Sequence, residues 1–168
     1  MPDPTPELSE LLCALLDAGV DFVLVGGAAA VVQGAPITTQ DVDIVHARSE
    51  ANVSRLLAVL TDLDAKVRDL AGRSLPPSAR ALLGTGQSLL VTRLGRLDAL
   101  GTLHDGRGYA ELVGHTDVVE LSGLALRVLD LPTLIEIKAS TGRAKDRLVV
   151  PVLLALAQQR QDADRGDD

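Results

Sequence analysis

A chain of 168 residues, 46% hydrophobic and 23% charged, is long enough for one ordinary domain with its own core. A net charge of −7 argues against nucleic acid as a partner of the surface as a whole, and one Phe and one Tyr exclude the aromatic platform of many single-strand binders. The lone Cys13 excludes an intrachain disulfide and a cysteine zinc site; no apolar run approaches the roughly 20 residues of a membrane span, and residues 1–6 lack the marks of a secretion signal, so a cytoplasmic protein without a membrane partner is expected.

In chain order, Leu8, Leu11, Leu12, Leu15 and Leu16 have the i, i+3, i+4, i+7 spacing of an amphipathic helix, with Thr5 as candidate N-cap, Pro6 at N1 and Gly19 as terminator. Cys13 lies among these leucines, which predicts a buried thiol. Residues 20–25 read as a buried strand, and Gly26-Gly27 as a turn into a short helix over 28–33 that Gly34 and Pro36 end. A strand over 41–47 and a helix over 49–62 follow, then a candidate strand over 66–70. Residues 71–87 are rich in Gly, Pro and Ser and read as a loop with one short helix near Ala79. Strands over 88–92 and 96–100 form a hairpin about Arg93-Leu94-Gly95, and strands over 117–121 and 124–128 a second about Ser122-Gly123. A helical turn over 109–113 separates them. Helices over 131–140 and 144–159 close a single domain of residues 1–160, the second bent at Pro151, and the acidic residues 161–168 read as a disordered tail. The fold class is α/β of the α+β kind, a mixed sheet flanked by helices.

The charge is unevenly spread. Four Asp and one Arg in 161–168 contribute −3, whereas residues 66–107 carry seven Lys or Arg against three Asp, a local +4. That segment faces either an anionic substrate or solvent.

Asp41-Val42-Asp43 carries the chemistry. Side chains alternate along a strand, so Asp41 and Asp43 share one face while Val42 and Ile44 share the other. Two carboxylates so placed repel each other, and an oxygen-seeking cation such as Mg²⁺ relieves that repulsion. The same alternation describes any half-exposed strand; the glycine pair upstream bears on the choice. Asp98, in mid-strand between apolar neighbours, needs an open face or a partner, and is either a surface position or a third carboxylate beside the first two.

Gly26-Gly27, then Asp41 and Asp43, then Asp98, resembles the nucleotidyltransferase superfamily that includes the DNA polymerase beta palm. The stretches Gly34 to Asp43 and Glu136 to Asp146 look like the small bacterial branch containing AbiEii-type and MenT-type toxins. The resemblance implies a mixed-sheet nucleotidyltransferase core. It also implies two Mg²⁺ ions, or Mn²⁺, held by Asp41, Asp43 and Asp98, and an NTP whose α-phosphorus is attacked by an acceptor hydroxyl with loss of pyrophosphate. Gly26, Gly27 and Thr39 would then lie against the triphosphate, and Lys138, Arg143 and Lys145 would neutralise it. For toxins of this branch the acceptor is the 3′ end of tRNA, and a cognate antitoxin protein is an implied partner. Two alternatives stay open: the same core acting on a protein or antibiotic hydroxyl, and an inactive nucleotidyltransferase-like binding or antitoxin subunit. The chain departs from the pattern at Ile37, where many relatives carry Arg, and at Ala28, where a serine or other small residue often assists the triphosphate. His46, His104 and His115 have no spacing that suggests a shared site, although His104 follows the Asp98 strand closely enough to reach an acceptor.

Overall fold

The computed structural model describes residues 6–167. The proposed N-cap Thr5 lies outside them. Helix α1 (Pro6–Asp17) buries Leu8, Leu11, Leu12 and Leu15, as its spacing predicts, and each such leucine contributes about 2 kcal/mol when removed from water. Cys13 departs from expectation. It is only half-buried, because it stands off the stripe formed by Leu8, Leu11, Leu12 and Leu15.

Strand β1 (Phe22–Val25) is buried throughout, and its predicted first residues form instead the turn after Gly19. Asn52 fixes that turn: its amide accepts from the Asp21 backbone at 2.7 Å and donates to the carbonyls of Asp21 and Ala47 at 2.9 and 2.8 Å. Helix α2 (Gly26–Val32) begins at Gly26 itself, two residues earlier than the glycine pair suggests. Its C-terminus is pinned through buried Gln33, whose amide donates to Asp117 and to the Leu129 carbonyl while accepting from Arg160. Strand β2 (Asp41–His46), helix α3 (Glu50–Asp62) capped by Ser49, and β3 (Lys66–Val67) follow. Helix α4 (Ala79–Leu83) is the short helix expected near Ala79, capped by Ser78. The first hairpin joins β4 (Gln87–Thr92) to β5 (Gly95–Leu100). Helix α5 (Tyr109–Leu112) runs into a 3-10 turn (Val113–His115), and the second hairpin joins β6 (Thr116–Leu121) to β7 (Leu124–Leu129). Ser122 and Gly123 both adopt positive φ, 50° and 77°, the conformation of a two-residue type I′ turn.

Helix α6 (Leu131–Ser140) starts at the Asp130 cap, and α7 (Ala144–Gly166) holds Pro151 within it. α7 continues through residues 161–166, where composition predicts disorder. Local contacts support the extra turns, including an i, i+4 hydrogen bond from Gln158 to Asp162 at 3.0 Å.

The strands form one mixed sheet in the order β3-β4-β5-β2-β1-β7-β6. β2 is parallel to β5 and β1 to β7, while the other neighbours are antiparallel. One face, with Val42, Ile44, Leu90, Leu97 and Ala99, belongs to the hydrophobic core. The opposite face of β2 and β5 presents Asp41, Asp43, Arg96 and Asp98, because in-register strands keep side chains of paired residues on one side.

Candidate active site

The parallel register of β2 and β5 sets Asp43 opposite Asp98 and Asp41 opposite Arg96. All three carboxylates therefore project from one face into one cavity of about 680 Å³. The floor is the sheet. The Gly26-Gly27 turn and the Ile37–Asp41 segment form one side, and Lys138, Thr141, Arg143, Lys145 and Asp146 of α6, α7 and their connection form another. Every residue singled out in the sequence for nucleotide or cation contact lines this space: Gly26, Gly27, Thr39, Asp41, Asp43, Asp98, Lys138, Arg143 and Lys145.

Gly26 is required by closeness and by conformation. Its φ is +67°, and a Cβ there would collide with the Asp43 carboxylate. A Cβ on Gly27 would sit 3.1 Å from Thr39 Oγ1, and that hydroxyl donates to the Asp41 carbonyl at 3.1 Å. The helix N-terminus and β2 thus approach as closely as backbone and carboxylate allow.

Charge is uncompensated at the centre. Asp41 Oδ1 and Asp43 Oδ1 are shielded from solvent without a hydrogen-bond partner, and Arg96 stands 4.0 Å from Asp41 Oδ1, beyond hydrogen-bond reach. Burial, then the neighbouring Asp98 and Asp41 carboxylates, push Asp43 up to about 7 against the opposing pull of Lys138. Burial raises Asp98 as well, although Arg68 offsets it with an ion pair of 2.6 Å. Among the described residues no three acidic, imidazole or thiol groups converge as a closed metal cage; with Asp98 turned to Arg68, the arrangement is an open row of acids. Its two orphaned oxygens, on Asp41 and Asp43, are the donor type that a hard divalent cation takes; these two would hold such an ion, and Asp98 would join them only on release from Arg68.

Two features escaped the sequence. Arg68 reaches Asp98 from β3, a pairing that depends on the register of three strands. Asp146, 8% exposed, gathers the far wall: it accepts from Lys138 at 3.2 Å, Thr141 at 2.6 Å and Arg143 at 3.0 Å. These contacts, together with the charges of Lys138 and Arg143, outweigh burial and hold its carboxyl below the usual range. Lys138, 12% exposed, lines the cavity from a fixed position, and Arg143 joins it through the same carboxylate. The stretch Glu136 to Asp146 carried the signal in the sequence, yet nothing in it distinguished Asp146 as the group that the cations share.

His104 lines the same cavity and contacts Ser140 at 3.0 Å. Ser140 gives its proton to the Ile137 carbonyl, so Nε2 of His104 is the donor. His46 lies on the core face, 1% exposed, and donates to the Leu82 carbonyl at 2.7 Å; burial lowers its pKa. It has no part in the cavity.

No family model matches the sequence, and no curated protein does. Solved structures resemble it in three dimensions. A protein from Thermotoga maritima assigned as a nucleotidyltransferase aligns with TM-score 0.57 at 20% identity, over 91% of this chain and 96% of that one. The lincosamide antibiotic adenylyltransferase LnuA with lincomycin bound aligns with TM-score 0.63 at 13% identity, over 91% and 98%. ANT(2″)-Ia in complex with adenylyl-2″-tobramycin aligns with TM-score 0.56 at 14% identity, over 97% of each chain. These likenesses extend over nearly the whole of both chains in every case, and the fold of this protein is that of the nucleotidyltransferases.

Proposed function

We propose that this protein is a metal-dependent nucleotidyltransferase that moves a nucleoside monophosphate from an NTP to the 3′ hydroxyl of an RNA acceptor, as tRNA-targeting toxins do. One observation carries the reading: Asp41, Asp43 and Asp98 share a sheet face beside a helix N-terminus that glycine alone lets come so close. Asp41 and Asp43, with Asp98, would hold divalent cations, which when bound would supply charge neutralisation and favour loss of the acceptor proton.

The chain's own residues do the rest. Gly26 and Gly27 expose backbone amides to the triphosphate at the positive end of α2. Lys138, Arg143 and Lys145 face the charge that collects on the departing pyrophosphate, and Asp146 keeps the first two in place. Thr39 holds Asp41 through its backbone. A second reading, transfer to a small-molecule hydroxyl, is favoured by the full-length likeness to LnuA and ANT(2″)-Ia. Arg96 lines the cavity and Lys66 follows it on the same sheet face, an arrangement that suits an anionic acceptor better than a polycationic aminoglycoside. A toxin also has a readout in cells, where expression should arrest growth and Asp43→Ala should relieve it.

The test is incubation with Mg²⁺, labelled NTPs and total RNA, with Asp41→Ala and Asp98→Ala proteins alongside. Label should enter RNA in the wild type and fall by at least about 10²-fold in both variants. Label on a small molecule instead selects the second reading. No turnover of any NTP with intact carboxylates sinks both.

A further inference from the structure

In an in-line displacement the attacking and leaving oxygens stand at opposite ends of the phosphoryl group. With the triphosphate over Gly26 and Gly27 and its leaving end toward Lys138, the side left for the acceptor is that of β5, β4 and β3. There the sheet face that bears the carboxylates continues as two cross-strand rows. One runs Lys66, Val91, Arg96, Asp41. The other runs Arg68, Leu89, Asp98, Asp43, with the Arg68 backbone donating to Leu89 at 2.8 Å. Lys66 and Arg96 side chains are 44% and 57% exposed, and Val91 and Leu89 are exposed beside them. Past Arg96 a groove of about 330 Å³ leads by Leu94 to Arg93, whose guanidinium donates to the Asp62 carbonyl at 3.4 Å. The acids nearby are Asp64, 3.4 Å from Lys66, and Glu7 at the groove.

We infer that this platform on β3, β4 and β5 receives the acceptor, and that its occupant is a single-stranded RNA end held by its phosphates. The inference rests on the nucleotidyl-transfer reading and specifies where its second substrate lies. Lys66 and Arg96 lie in one cross-strand row beside that of Asp98 and meet successive phosphates, while Leu89 and Val91 offer aliphatic surface to sugars and base faces. The chain has one Phe and one Tyr, so stacking contributes little and phosphate contacts dominate. Binding is therefore strongly salt-dependent and weakly dependent on sequence. Arg68, committed to Asp98, sets the depth to which the 3′ end can advance.

Fluorescence anisotropy with a short labelled single-stranded RNA bearing a free 3′ hydroxyl, in the absence of NTP, isolates this surface from chemistry. Lys66→Glu should weaken binding about tenfold and reduce the slope of log Kd against log salt by about one, with NTP binding unchanged. Val91→Lys should tighten the same RNA several-fold, a gain that misfolding does not produce. Arg165→Glu, near the end of α7, is the charge-matched control and should bind as wild type. If wild type binds RNA and both platform variants match it, the platform is wrong while transfer to RNA still stands. If wild type turns over NTP yet neither binds nor labels RNA, the RNA reading falls and takes the platform with it.

Discussion

The two sides of the cavity handle positive charge differently. On the α6–α7 side, Lys138, 12% exposed, is locked to Asp146, whose side chain is 8% exposed, and Arg143, although 75% exposed, holds the same carboxylate at 3.0 Å. On the β3–β5 side, Lys66 and Arg96 reach into solvent, and their ion pairs are long, 3.4 and 4.0 Å. On the function proposed above, the contrast separates a site of paired charges for the triphosphate from an open one for a substrate that arrives as a flexible chain. Fixed charges suit transition-state stabilisation because they need no rearrangement during reaction; exposed ones suit encounter and salt-sensitive affinity.

Changes on the two walls away from β3–β5, the Gly26-Gly27 turn and α6–α7, should therefore be severe. The largest effect is expected from Gly26→Ala, which adds a Cβ against the Asp43 carboxylate at a backbone φ of +67°. Transfer should fall by at least about 10²-fold, measured as kcat/KM for NTP. Gly106→Ala pays for a positive φ without meeting any atom within 4 Å, so near-normal transfer in that variant isolates the collision from backbone strain.

Next comes Asp146→Ala. It strands Lys138, 12% exposed, as a buried unpaired cation, which costs about 3 kcal/mol. Urea unfolding should show that loss together with a raised KM for NTP, while RNA affinity stays at the wild-type value. Loss of RNA affinity instead would erase the division between the two sides.

The smallest effect is a pH dependence. In metal-free protein the Asp43 carboxyl holds its proton up to about 7, against 3.8 for an ordinary aspartate. Between those values the folded state binds more protons than the unfolded, so this group's contribution to stability falls as pH rises through that window. His46, whose pKa burial lowers from 6.5, acts in the opposite direction below that pH. The quantity to measure is therefore the difference between wild type and Asp43→Asn in urea with EDTA at pH 5 and pH 8. Asn should be favoured at pH 8 by on the order of 2 kcal/mol, and a difference independent of pH would show that burial and the neighbouring carboxylates together do not raise Asp43.

Much of this was readable because it is local. The leucine spacing of α1, the short helix near Ala79, the Ser122-Gly123 turn and the Asp41-Val42-Asp43 alternation each follow from a few adjacent residues. Asp98 was visible as a carboxylate in an apolar strand. Arg68 was not: its partner lies 30 residues away across β4, and the strand that positions it, β3, has two residues, too few for any periodicity. Asp146 looked like one acid among basic neighbours, since convergence of Lys138, Thr141 and Arg143 on it requires the chain to turn between α6 and α7. The predicted end of α7 stopped short because the charged residues after Gln159 dilute the apolar pattern, yet Arg160 anchors that helix to Gln33.

The pairing of β2 with β5 has a consequence for the life of the chain. Asp43 and Asp98 meet through a parallel contact across a long sequence separation, and contacts of that kind are slow to form because loop closure must precede them. A growing chain displays Asp41 and Asp43 well before the strand that carries Asp98 has been synthesised. It then holds two of the three acids and no means of assembling the third. The three-carboxylate face is thus a product of folding that cannot form before the middle of the chain has been made.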